Sequence, residues 1–138
     1  MALNRRLWIL GMLVGLLAVI PSWGQNSISI GCPSQAAAGS GVSCSMGLSL
    51  GAGVTLDNLT FGVSVTPNGG APALTVGQLS FSDSIGGVSK STGGTNNVIA
   101  AYWIGLDPVL SGSPALGSVG FSLPAAAISG QTYSVAIT

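Results

Sequence analysis

The chain has 138 residues, of which only 4% are charged and 47% are hydrophobic, with a formal net charge of zero. An ordinary soluble domain carries roughly 25% charged residues, so neither nucleic acid nor an anionic membrane finds the basic footprint it requires here. With no His and no Glu, general acid–base chemistry is left to three Asp, one Lys beyond the leader, two Tyr and two Cys.

The first 24 residues have the three regions of a secretory signal peptide: a basic start with Arg5 and Arg6, an apolar run over 7–20, and Pro21-Ser22-Trp23-Gly24 as breaker and small-residue cleavage site. A membrane-spanning helix needs about 20 apolar residues, more than this run supplies. The pattern predicts a leader helix over 1–24, removed after Gly24. Residues 25–138 then form one secreted, periplasmic or cell-surface domain with no membrane contact after cleavage. Cys32 lies too far downstream for a lipoprotein, and a pilin-type leader would need an acidic residue that is missing. Beyond the leader Lys90 stands against Asp57, Asp83 and Asp107.

In chain order, Ser27-Ile28-Ser29-Ile30 alternates and predicts a short strand, ended by Gly31-Cys32-Pro33. Residues 34–41 are a small-residue loop. Val42, Cys44, Met46, Leu48 and Leu50 alternate with Ser43, Ser45, Gly47 and Ser49, which is the period of a half-buried strand. Cys44 falls on the apolar face. Two cysteines in an exported chain are most simply a disulfide, Cys32 to Cys44. On the chain-entropy model it would stabilise the fold by roughly 3 kcal/mol.

A second alternation places Leu59, Phe61, Val63 and Val65 on one face and Thr60, Gly62, Ser64 and Thr66 on the other, before the turn Pro67-Asn68-Gly69-Gly70. Segments 74–76 and 79–81 are shorter strands. Residues 83–97 are a loop, with room for one short edge pairing over 87–90. The stretch 98–106 is apolar on both faces and carries Tyr102 beside Trp103. In a strand these two point oppositely, so one enters the core and the other faces outward. Asp107-Pro108 stops that strand and 111–114 turns. Residues 116–123 then alternate through Val119, Phe121 and Leu123, with Ser118, Gly120 and Ser122 opposite. Residues 124–130 are an Ala-rich connection, and Tyr133, Val135 and Ile137 alternate to the end. Seven to nine short strands without helical periodicity beyond the leader predict an all-β, two-sheet antiparallel sandwich.

The chemistry of these residues argues against an enzyme. A nucleophilic Ser lacks a His base, and Lys90 between Ser89 and Ser91 reads as a solvated side chain. The three Asp stand beside turn signals. No metal is expected, because two thiols without His fall short of a zinc site and no Asp-x-Asp-x-Asp-Gly loop exists; no cofactor is expected either. Asn58-Leu59-Thr60 matches a glycosylation sequon. Binding remains: Trp103 or Tyr102 as an outward aromatic, and the small flat faces of Thr60, Ser64, Ser118 and Ser122. The alternative for the Trp is a place in the core.

Residues 98–103, then Leu110-Ser111-Gly112, Leu116-Gly117-Ser118-Val119-Gly120-Phe121-Ser122-Leu123-Pro124 and Gly130-Gln131-Thr132-Tyr133-Ser134-Val135 together resemble a bacterial cohesin-type module. Ala38-Gly39-Ser40-Gly41-Val42 and Leu59-Thr60-Phe61-Gly62-Val63-Ser64-Val65 agree more loosely. The resemblance implies a nine-stranded jelly roll of the cellulose-binding-module type. It implies a noncatalytic role in docking a dockerin-like protein or attaching to polysaccharide at the cell surface, through a flat sheet face. It also makes 98–106 a central strand and assigns Trp103 chiefly to the core. The chain departs from the family where Val65-Thr66-Pro67 replaces Tyr-Asp-Pro, and where Ser, Thr and Gly stand for polar and acidic docking residues. The uncharged Gly/Ser/Thr-rich surface suggests a second role, as a self-associating subunit of an extracellular layer or filament.

Overall fold

The computed structural model describes residues 24–75, 78–92 and 97–138. The expected leader helix falls almost wholly outside them. Ten strands follow in order: β1 (Ser27–Gly31), β2 (Gly41–Ser49), β3 (Thr55–Leu56), β4 (Leu59–Asn68), β5 (Ser80–Asp83), β6 (Ser89–Thr92), β7 (Val98–Trp103), β8 (Leu110–Ser111), β9 (Ala115–Ser122) and β10 (Thr132–Ile137). They form one sheet of order β1-β2-β9-β5, a second of order β10-β4-β7-β6, and a small β3-β8 ribbon. Every pairing is antiparallel.

Alternation decides which side of each strand is inside. Val42, Cys44, Met46 and Leu48 of β2 are buried while Ser43, Ser45 and Ser49 are exposed. On β4 the buried set is Leu59, Phe61, Val63 and Val65. The two four-stranded sheets press these apolar faces together into one core, to which β7 adds Ile99, Ala101 and Trp103 and β9 adds Leu116, Val119 and Phe121. Nonpolar area removed from water, at about 25 cal/mol per Å², is the main force holding the sheets together.

An aromatic triad joins the two layers. Phe81 of β5 meets Phe61 of β4 and Trp103 of β7 with ring centroids 5.7 and 5.8 Å apart, edge to face in both cases. Phe61 and Trp103 lie 5.8 Å apart at a tilt. Edge-to-face contact sets the positive rim of one ring against the negative face of another.

The strands deviate from the sequence expectation where pairing, not periodicity, sets the outcome. The apolar stretch 98–106 is a strand only to Trp103; Gly105 turns the chain with φ 65° and Ile104 is 79% exposed. Leu74 is buried without belonging to a strand, and Val76 lies outside the described residues. The short edge pairing allowed over 87–90 forms two residues later, as β6, and the expected turn at Ser111 contributes β8. Both gain a ladder only because β7 and β3 lie alongside them.

In β9 the phase of burial slips. Leu116 and Val119 are both fully buried although three positions apart. The register against β2 jumps from Met46–Gly117 to Gly47–Ala115, leaving Leu116 as the extra residue of a β-bulge. Gly117 takes φ 143° there, and a Cβ on it would run into the Ser82 carbonyl oxygen. Glycine is required at this point by both conformation and space.

Cys32 and Cys44 are bridged, with their Cα atoms 4.2 Å apart. The bridge ties the loop after β1 to a fully buried position in β2. It is compatible with an oxidising extracellular or periplasmic compartment.

Candidate functional site

Side-chain direction on paired strands sorts the sequence-derived candidates onto separate faces. On β7, Ile99, Ala101 and Trp103 point into the core, so Val98, Ala100 and Tyr102 point out. Trp103 is 1% exposed, and its indole N–H donates to the Gly86 carbonyl oxygen at 2.9 Å. Its polar atom is satisfied and its ring is enclosed by Phe61 and Phe81. Its place is therefore in the core, as the central-strand assignment implies, and it offers no surface to a ligand.

Tyr102 is the outward member of the pair, 38% exposed. Its cross-strand neighbours are Thr60 on β4 and Ser89 on β6. Neither of these side chains reaches as far from the sheet as the tyrosine ring. Ser64 lies on the same face, opposite Val98 on one side and Ala136 of β10 on the other. Tyr102, Thr60 and Ser64 thus share the outer face of the β10-β4-β7-β6 sheet. Around them Gly62, Thr66, Ser134 and Ala136 keep that face low, leaving one aromatic ring above a field of hydroxyl and methyl groups.

Ser118 and Ser122 are elsewhere. They lie on the outer face of the β1-β2-β9-β5 sheet, opposite Ser45 and Gly41, on the far side of the sandwich from Tyr102. A feature of this second face spans four strands and escapes notice strand by strand. Its outward positions over 27–31, 41–49, 80–82 and 118–122 are all Ser or Gly. Several of the serines are turned into the sheet. The Ser29 hydroxyl donates to the Gly47 carbonyl at 3.4 Å, Ser45 to Gly31 at 3.4 Å and Ser80 to Gly120 at 3.3 Å. Each leans over a glycine of the neighbouring strand, at a distance where a Cβ would crowd it. These long bonds are weak, but they leave the face flat and direct its hydroxyls inward.

The ionisable residues do not gather. Lys90 pairs with Asp83 across β6 and β5 at 3.6 Å. Asp57 accepts from the Asn58 side-chain amide at 2.9 Å, while Asn58 Oδ1 takes the Gly105 N–H at 3.1 Å. The sequon asparagine is thus engaged in holding the turn after β7. No group of three or more His, Cys, Asp or Glu able to hold a metal occurs among the described residues. Tyr133 donates its hydroxyl to the Pro72 carbonyl at 2.8 Å, and burial raises its pKa from 10.0.

Comparison with known proteins gives no match: no protein-family model, no curated protein and no solved structure is significantly similar to the chain.

Proposed function

We propose that the chain is an exported, noncatalytic binding module, cohesin-like in build, that docks a protein or polysaccharide partner at the cell surface. The partner sits on the outer face of the β10-β4-β7-β6 sheet, with Tyr102 at its centre. The observation that carries this is the exposed Tyr102 ring flanked by Thr60 and Ser89 on a flat, uncharged sheet face. A planar ring above small neighbours can stack on a sugar ring or seat in a pocket of a protein partner. The opposite face has no aromatic side chain among its outward positions, and several of its hydroxyls are committed to main-chain carbonyls.

The jelly-roll assignment is supported by the repeated passage of the chain between layers: β2 to β4, β4 to β5, β5 to β6, β7 to β9 and β9 to β10 each change sheet. Export is supported by the basic-apolar-small pattern of 1–24 and by the bridged cysteines.

The test is binding to arrayed polysaccharides and dockerin-type peptides, followed by Tyr102→Ala. The ring points away from the core, so this variant should unfold within about 1 kcal/mol of the parent yet lose about tenfold or more in affinity, as truncation of an aromatic anchor does. Arrays that stay blank, or a ligand that binds Tyr102→Ala undiminished, would refute the assignment.

A further inference from the structure

The two lateral sides of the sandwich are finished differently. On one side run the edge strands β5 and β6, and that side is guarded. Lys90 of β6 is paired in register with Ala101, whose side chain is buried, so the lysine is directed toward the space between the sheets, where it meets Asp83 of β5 at 3.6 Å. An inward-pointing charge on an edge strand is a standard obstacle to strand addition.

On the other side run β1 and β10, which approach within 8 Å without hydrogen-bonding to each other. No charge of that kind stands here among the described residues. Thr132–Ile137 holds no charge, no proline and no bulge. The remaining acidic residues of the exported part, Asp57 and Asp107, stand in the turns around β3 and β8. Gly62 and Thr138 exchange both backbone hydrogen bonds, at 2.8 and 2.9 Å. By antiparallel alternation the backbone groups of Thr132, Ser134 and Ala136 therefore face β4, while those of Tyr133, Val135 and Ile137 face away from it. None of those three residues makes a further backbone hydrogen bond among the described residues.

Beside this open edge lies a groove of about 850 Å³, between the loop after Cys32 and the connection leading into β10. Val42, Phe121, Leu123, Tyr133 and Val135 give it an apolar floor, and its lining includes no charged residue. Ile128, 69% exposed, stands on its rim.

We infer that β10 pairs with β10 of a second copy, antiparallel about a two-fold axis at Val135. In that register Val135 faces its own equivalent and Tyr133 faces Ile137. Six hydrogen bonds then satisfy all three outward N–H and all three outward C=O groups of each edge. The cross-strand pairs are aromatic with β-branched and Val with Val, which are favourable sheet neighbours. A charge at position 135 would face its own copy across the two-fold axis; β10 carries none. The contact is isologous and closes on itself. Because the β6 edge is guarded, this sheet does not extend beyond the dimer. The result is a continuous eight-stranded sheet whose outer face presents two copies of Tyr102.

This inference goes beyond the docking assignment and does not depend on it, since Tyr102→Ala leaves the β10 edge intact. The test is the mass of the purified protein by sedimentation equilibrium over a range of concentrations, with amide hydrogen exchange at Tyr133, Val135 and Ile137. Twice the single-chain mass is expected, with exchange at those three amides slowing as concentration rises. Val135→Pro removes an outward N–H that the single chain does not use, and Ala136→Lys places a charge on the edge at an exposed position. Both variants should sediment as single chains. Ala136→Lys, whose substitution is at the surface, keeps the test sound should the proline disturb folding. A single-chain mass throughout with fast exchange at the three amides would overturn the inference. So would open-ended filaments, or a dimer that persists unchanged in Ala136→Lys.

Discussion

Replacing Trp103 with alanine is the sharpest test of how this fold is held together, because the residue could have belonged either to a binding surface or to the core. At 1% exposure the ring is enclosed, and it contacts Phe61 and Phe81 at centroid distances of 5.8 Å. Removing a buried Trp side chain costs about 3–5 kcal/mol through lost transfer energy and the cavity left behind. The lost hydrogen bond adds less than the net value of about 1 kcal/mol, because its acceptor Gly86 is exposed and water can replace the indole. A loss of about 4 kcal/mol is expected, against total stabilities of about 5–15 kcal/mol, with a fall in Tm on the order of 15 °C. Trp103→Phe should lose about half as much, since it keeps a ring between Phe61 and Phe81. The assay is urea unfolding followed by far-UV circular dichroism, because no other Trp follows position 23. A Trp103→Ala loss below about 1 kcal/mol with an unchanged m-value would refute the core assignment, as would loss of ligand binding in a fully stable Trp103→Phe.

Three further outcomes follow from particular residues. Gly117→Ala should destabilise by about 3 kcal/mol, since φ 143° is strained for alanine and its Cβ would meet the Ser82 carbonyl and approach Asp83 Cα to 2.9 Å; a near-neutral effect in thermal melts would show that the bulge is not fixed. The double variant Cys32→Ala/Cys44→Ala should lose about 3 kcal/mol, the loop-closure value for a separation of 12 residues. Parent protein unfolded under reducing conditions should show the same loss. For Tyr133, burial raises the folded-state pKa above 10.0, so its contribution is complete below pH 10 and is lost as pH rises through the folded value. Denaturant midpoints should fall more steeply above pH 10 in the parent than in Tyr133→Phe, and parallel curves would contradict this.

The period-2 alternation of small polar and apolar residues was enough to mark β1, β2, β4, β9 and β10 and, except at the start of β9, to say which side of each is buried, because that information is local. The pairing of Cys32 with Cys44 was equally legible, since only two cysteines exist. The candidate site was legible in part. Tyr102, Thr60 and Ser64 were each recognisable as outward and small or aromatic, but nothing in their spacing said that Thr60 and Tyr102 are direct cross-strand neighbours, or that Ser118 and Ser122 belong to the opposite side. Face sharing between strands 40 or more residues apart depends on sheet order.

Where local pattern was silent, tertiary structure decided. The stretch 98–106 is apolar on both faces, so its own sequence could not choose between Tyr102 and Trp103 as the inward residue. The choice came from Phe61, Phe81 and the Gly86 carbonyl, which together accept an indole and satisfy its N–H. Leu116 and Val119 break the alternation, and only pairing with β2 shows that a bulge at Gly117 restores both to the core. The same holds for the edges: composition shows a chain nearly devoid of charge, whereas sheet order alone reveals that its one lysine guards β6 and leaves β10 open. Alternation is a property of consecutive residues, but pairing is a property of distant ones brought together by a shared core, and that is why sequence determined the strands while the assembled sandwich determined the faces.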